Sequence, residues 1–136
     1  AVDANVERFI LVSSLGVGDS WGWMPYPVQW FFQFHGEVPI LQEKARSETY
    51  VRSAGIAWTI LRPGFLTNSS MRAEPLLLPP SGRVPGITSR QAVADVVVRC
   101  LESARAVRQT FTVVDNWLRK AIWRGEPVRL NVPWHA

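Results

Sequence analysis

Two stretches of the chain are nearly continuous in apolar residues. Arg8-Phe9-Ile10-Leu11-Val12-Ser13 closes on Ser14-Leu15-Gly16-Val17-Gly18, and Ile56-Ala57-Trp58-Thr59-Ile60-Leu61 closes on Arg62-Pro63-Gly64. Unbroken apolar runs that end in small or turn-forming residues predict parallel strands buried on both faces. The two glycines after the first run permit backbone conformations closed to other residues. From about Pro39 to Ala54 the spacing becomes helical, with Ile40, Lys44, Ser47 and Val51 on one stripe and Leu41, Ala45 and Thr49 on its neighbour. Pro39 suits the first helical turn, Gly55 suits the C-terminal cap, and Glu48 to Arg52 is a favourable i,i+4 pair. A strand, a helix of about four turns and a second strand in that order form a βαβ crossover, which implies a parallel sheet.

The flanking segments are less regular. Trp21 to Phe34 carries three of the seven tryptophans and two prolines, Pro25 and Pro27, which argue against one continuous helix. It reads as a lid over an apolar substrate, a surface for a partner or membrane interface, or a flap on the protein's own sheet. Residues 67–86 are rich in Ser, Pro and Gly and predict a surface excursion anchored only by Leu76-Leu77-Leu78. Thr88-Ser89-Arg90-Gln91 predicts a capping box for a helix whose Val93, Val97, Cys100, Leu101 and Ala104 share a face. Thr110 to Val114 alternates like a strand. The tail suggests a short helix at Trp117–Trp123 and an edge strand at Val128–Val132.

Composition narrows the class. With 47% apolar and 19% charged residues the 136-residue chain reads as one globular domain. Residues 1–114 form its regular part and 115–136 a divergent tail. The net charge of +4 is scattered rather than gathered, so no nucleic-acid partner is expected. The single cysteine, Cys100, lies in an apolar helical pattern and cannot form an internal disulfide, which fits a reducing, cytoplasmic setting. No stretch reaches the roughly 18 apolar residues of a membrane span. One Cys and two distant His, His35 and His135, suggest no metal site. His35 has the chemistry of an acid or base near neutral pH but sits in a loop-like context. The opening Ala1 to Val6 reads as the tail of a helix entering a strand, so the chain is expected to start inside a fold unit.

Val6-Glu7-Arg8-Phe9-Ile10-Leu11-Val12-Ser13-Ser14-Leu15-Gly16, Lys44-Ala45-Arg46-Ser47-Glu48, Trp58-Thr59-Ile60-Leu61-Arg62-Pro63-Gly64 and Gly86-Ile87-Thr88-Ser89-Arg90 follow in order. Together they resemble the second half of an atypical short-chain dehydrogenase/reductase, a group that includes nitrogen-regulator-like dinucleotide binders, over about residues 5–114. The resemblance implies an α/β fold: the C-terminal part of a Rossmann-type, doubly wound parallel sheet. It lacks the N-terminal glycine-rich βαβ unit. In such sheets ligands lie at the carboxyl ends of the strands. The resemblance then places Ser13 and Ser14 beside the nicotinamide ribose of NADP or NAD and directs Lys44 to the ribose hydroxyls. It makes Pro63, Gly64, Phe65 and Leu66 the wall beside the carboxamide. Lys44 and Ser14 are its candidate catalytic residues.

Three departures accompany the match. The family's usual catalytic tyrosine, four residues before the lysine, is Ile40, and Tyr50 is about 600° round the helix from Lys44. No glycine-rich dinucleotide motif occurs, so pyrophosphate binding should be weak or absent. Ala92 stands where the family often has an aspartate, for which Asp95 is a partial substitute. Two functions remain: an NAD(P)-dependent oxidoreductase or its remnant, or a non-catalytic module that dimerises or docks into a larger assembly. Half of a doubly wound sheet leaves an edge and apolar faces for a partner chain or second copy to cover.

Overall fold

Phe9–Val12 (β1) and Trp58–Pro63 (β2) run side by side and parallel, with Phe9 opposite Trp58 and Val12 opposite Leu61. The computed structural model describes residues 3–23, 26–36, 38–71, 73–80, 87–115 and 125–133. Between the two strands lie a 3-10 helix (Gly18–Trp23), α1 (Tyr26–Phe34) and α2 (Val38–Ser53). The helix expected from Pro39 to Ala54 is therefore α2. The Trp-rich segment is two short helices, with Pro27 in the first turn of α1 where its missing N–H costs nothing.

The four-stranded sheet has the order β1-β2-β6-β4. β6 (Gln109–Val114) joins β2 in parallel, and β4 (Leu76–Leu78) closes the far edge antiparallel to β6, with Leu77 opposite Val113. The leucine triplet is thus a fully buried strand rather than the anchor of a surface excursion. A second small sheet pairs β3 (Phe65–Thr67) in parallel with β5 (Ile87–Ser89).

α3 (Arg90–Glu102) packs on the sheet through Ala92, Val96, Arg99 and Cys100. This differs from the sequence expectation: Leu101 is 46% exposed and Ala104 is exposed too. Ser89 alone caps the helix, accepting from Ala92 N–H at 3.1 Å. Thr88 donates instead to the Val113 carbonyl at 2.7 Å and accepts from Gly64 N–H at 3.1 Å. The main core joins Leu61, Leu77, Val96, Cys100, Ala106, Phe111, Val113 and Leu130. Burial pushes the Cys100 thiol up to about 11 against the lowering charges of Arg8 and Arg99, so it behaves as a small hydrophobe.

In the tail, 128–132 does not form a strand, although Val128 N–H donates to the Leu77 carbonyl at 2.8 Å beside β4. The helix expected at Trp117–Trp123 lies outside the described residues.

Candidate functional site

The carboxyl ends of β1 and β2 meet at one rim. Past the regular ladder, Ser13 N–H donates to the Leu61 carbonyl at 2.7 Å and Leu15 N–H to the Pro63 carbonyl at 2.9 Å. The two chain segments named in the sequence as strand ends therefore leave the sheet together, in parallel. β1 supplies Ser13, buried, and Ser14, half-buried, whose hydroxyl turns to the Leu15 carbonyl at 3.1 Å. β2 supplies Pro63, buried in the sheet opposite Val113, and the half-buried Gly64. Phe65 and Leu66, on β3, are 48% and 44% exposed, so two of the four wall residues offer an open apolar face.

α2 crosses between these strands. Lys44 is half-buried and makes no hydrogen bond or ion pair with another described residue. Ile40, at the position of the family's tyrosine, is 57% exposed and carries no proton to transfer. Tyr50 is 77% exposed on another face. Ala92 is buried, and Asp95 instead faces Arg99 on its own helix at 3.7 Å.

Beneath the rim lies a charged cluster that the sequence reading did not assemble. Arg62, 1% exposed, donates from Nε to Glu48 Oε1 at 3.0 Å and from Nη2 to Glu48 Oε2 at 2.7 Å. Its Nη1 reaches Asp19 Oδ1 at 2.8 Å. Arg52 joins from the outside, 3.1 Å from Glu48 Oε2, with its guanidinium 5.8 Å from the Trp58 ring centre. The expected i,i+4 pair thus exists, but Glu48 is itself buried and its principal partner is on β2. Burial alone would raise the Glu48 pKa. Hydrogen bonds from Arg62, the nearby Ser13 hydroxyl and the charges of Arg62 and Arg52 outweigh it and hold the carboxyl below its usual range. Ser13 Oγ faces this carboxylate outside good hydrogen-bond geometry and has no other partner among the described residues. A signal existed in the sequence: Glu48 lies on the stripe of Leu41 and Ala45, and a carboxylate on a buried stripe requires a buried counter-charge.

Beside the rim a cleft of about 380 Å³ opens between the loop after β1 and α2, lined by Gly16, Gly18, Trp21, Gln33, Leu41 and neighbouring α2 residues. Of its lining residues, Leu41, Trp21 and Ala45 pack into a small apolar cluster with the buried Leu15 and Val17 and with Val28. α1 flanks it and leaves Tyr26, Trp30 and Phe34 exposed, with the Trp30 and Phe34 rings 5.2 Å apart. His35 is exposed, with its ring 4.3 Å from that of Phe31 and tilted to it. Among the described residues no group of His, Cys, Asp and Glu is placed to hold a metal, and no helix is long and apolar enough to cross a membrane.

A family model described as NAD(P)H-binding matches residues 1–104. A protein of Arabidopsis thaliana, "Uncharacterized protein At2g34460, chloroplastic", is 36% identical over 98 residues, which are 71% of this chain and 34% of that protein. Among solved structures, the anaerobillin reductase ChuY of Escherichia coli is similar with a TM-score of 0.68 and 26% identity, over 83% of this chain and 52% of ChuY. A short-chain dehydrogenase/reductase of Veillonella parvula in complex with NADP gives a TM-score of 0.70 at 23% identity, over 83% of this chain and 54% of that one. The chain thus spans about a third of the plant relative and about half of each solved chain.

Proposed function

The chain belongs to the NAD(P)H-binding family, and from that premise we propose that its rim serves the nicotinamide end of a reduced or oxidised nicotinamide dinucleotide. The observation that carries this reading is the joint exit of β1 and β2 at one parallel rim, the place where nucleotide-binding sheets hold their ligands. The residues fit that half of the cofactor. Lys44 is half-buried on α2, and its ammonium carries three donors for ribose hydroxyls. Ser14 stands at the mouth of the rim, the buried Ser13 lies behind it with its hydroxyl toward Glu48, and Gly64, Phe65 and Leu66 offer a backbone turn and an apolar wall for a planar ring. The pyrophosphate end has no counterpart in the sequence, which lacks a glycine-rich motif.

The bound dinucleotide would supply the hydride. The chain's own groups bind and orient. Lys44 adds positive charge that lowers the pKa of a neighbouring acid, and Ser14 is the hydroxyl we assign to the proton-relay place that Ile40 leaves vacant. Anaerobillin reductase activity belongs to ChuY; for this chain the cleft lined by Trp21 and Leu41 supports a small, largely apolar carbonyl or enone substrate. A single folded domain spanning 1–136 is part of this reading. The plant relative's name carries the word chloroplastic, so a plastid address stands beside the cytoplasmic one.

Titration of the chain with NADPH and NADH, followed by tryptophan fluorescence, tests the reading. Saturable quenching that weakens in Lys44→Ala and Ser14→Ala is the expected result. A flat titration to millimolar nucleotide overturns it.

A second reading is favoured by the exposed edge of β1, where Val12 is 45% exposed, and by the aromatic face of α1. Here the same fold acts as an interaction module, self-associating or docking on a partner chain. A concentration-independent solution mass of one 15.3 kDa chain would remove the self-association half of it.

A further inference from the structure

The Arg62 cluster has two unlike ends. Its inner end, Glu48, is 1% exposed and ties β2 to α2. Its outer end, Asp19, is 65% exposed and ties the same guanidinium to the loop that follows β1. That loop has its own internal bonds: Gly16 N–H to Ser20 Oγ at 2.9 Å, Ser20 Oγ to the Val17 carbonyl at 2.8 Å, and Ser20 N–H to the same carbonyl at 3.1 Å. These bonds fix its shape. They do not fix where the Gly18–Ser20 turn sits over the strand ends. Gly18, at φ +56°, lies next to the guanidinium, where an added Cβ would stand 3.9 Å from Arg62 Nη2, an ordinary van der Waals distance.

We infer that Asp19 is a positioning residue: Ser13 and Leu15 are already bonded to β2 through their backbone N–H groups, and the Asp19 contact with Arg62 seats the turn that follows them over β2 and α2, closing the far end of the segment that carries Ser14 at the candidate ribose position. Only this last consequence rests on the cofactor reading. The guanidinium is a rigid fork, and with one arm on α2 and the other on the loop it transmits the helix position to the strand-end loop. Lys44 lies one turn before Glu48 on that helix, so one buried arginine contacts both the helix that carries Lys44 and the turn that follows Ser14.

The test uses the full chain with Asp19→Ala and Asp19→Glu. An exposed ion-pair partner contributes little to global stability, so Asp19→Ala should leave Tm within about 2 °C of the parent. Hydrogen exchange of the Leu15–Ser20 amides should accelerate roughly tenfold with β2 and β6 unaffected, a local opening. NADPH should bind about five- to twentyfold more weakly, in line with the cost of a misplaced first-contact group. Asp19→Glu should restore part of both effects. Unchanged exchange across 15–20 in Asp19→Ala overturns the inference. So does a Tm loss with β2 exposed, which would make Asp19 a core stabiliser. If the parent chain binds no NADPH, the cofactor reading falls, and the exchange data still decide whether Asp19 positions the loop.

Discussion

At the residue scale the consequential feature is a charge buried inside a largely apolar element. Arg62 terminates an apolar strand and reads, from sequence, as the stop signal before Pro63. Once β2 lies beside α2, its side chain has no route to water and must meet Glu48. The pair is a sequence-distant contact, 14 residues apart, so no local pattern displays it. Glu48→Gln should destabilise the fold by up to about 3–5 kcal/mol, since it removes the buried counter-charge of the guanidinium and leaves it only the exposed Asp19. Urea unfolding measures this. The same pair sets a pH dependence. The Glu48 carboxyl is held below its usual range in the folded chain, so the native state binds fewer protons than the unfolded one. Its stabilising contribution is complete above the unfolded pKa, about 4.3, and is lost as pH falls through the lower folded value. As pH falls below the unfolded value the parent should therefore lose stability more steeply than Glu48→Gln does. Parallel slopes in the two chains would show that other carboxylates govern the acid transition.

At the element scale the strands and helices whose apolar pattern is long enough to have a period were legible, and the short or charged ones were not. β1, β2 and α2 follow their patterns to within a residue or two. β4 did not announce itself: three leucines among prolines have no period, and pairing with β6 is what makes them a strand. α3 was placed correctly but turned by roughly a quarter of a revolution. Counting apolar residues put Leu101 and Ala104 inward, whereas the buried face includes Arg99, which burial tolerates because Glu74 meets it at 2.8 Å. The boundary of α2 gives a clean test. Gly55 ends it at φ +71°, with open space around the place of a Cβ. Gly55→Ala therefore clashes with nothing and meets only the left-handed backbone penalty, about 1–2 kcal/mol. A shift in the urea midpoint with an unchanged slope is the expected signature; no shift would mean the helix end rearranges without cost.

At the scale of the whole molecule, the site is only half legible because its second half depends on what meets the edge of the sheet. Ser13, Ser14, Lys44, Pro63 and Gly64 were named from the resemblance to the short-chain dehydrogenase/reductase family, and the parallel strand ends bring the loop and β2 residues together. The stripe that carries Glu48 called for a buried counter-charge, but nothing in the local pattern named Arg62 as the group that supplies it. β2 and β6 have strands on both sides, β1 on one side among the described residues. Phe9 and Ser13 direct their N–H groups to β2, and the two-residue alternation of a strand turns those of Ile10 and Val12 outward. Unpaired outward amides exchange with solvent by local motion, whereas those of Ile60, Leu61 and Phe111 wait for larger openings. In a dilute monomer the Ile10 and Val12 amides should therefore exchange at least a hundredfold faster than those three, measured by amide hydrogen exchange. If their protection rises with protein concentration, the edge is where another strand adds on, which is the means by which exposed sheet edges associate. Protection already equal to that of β2 at the lowest concentration would contradict the unpaired edge and require a strand beside β1.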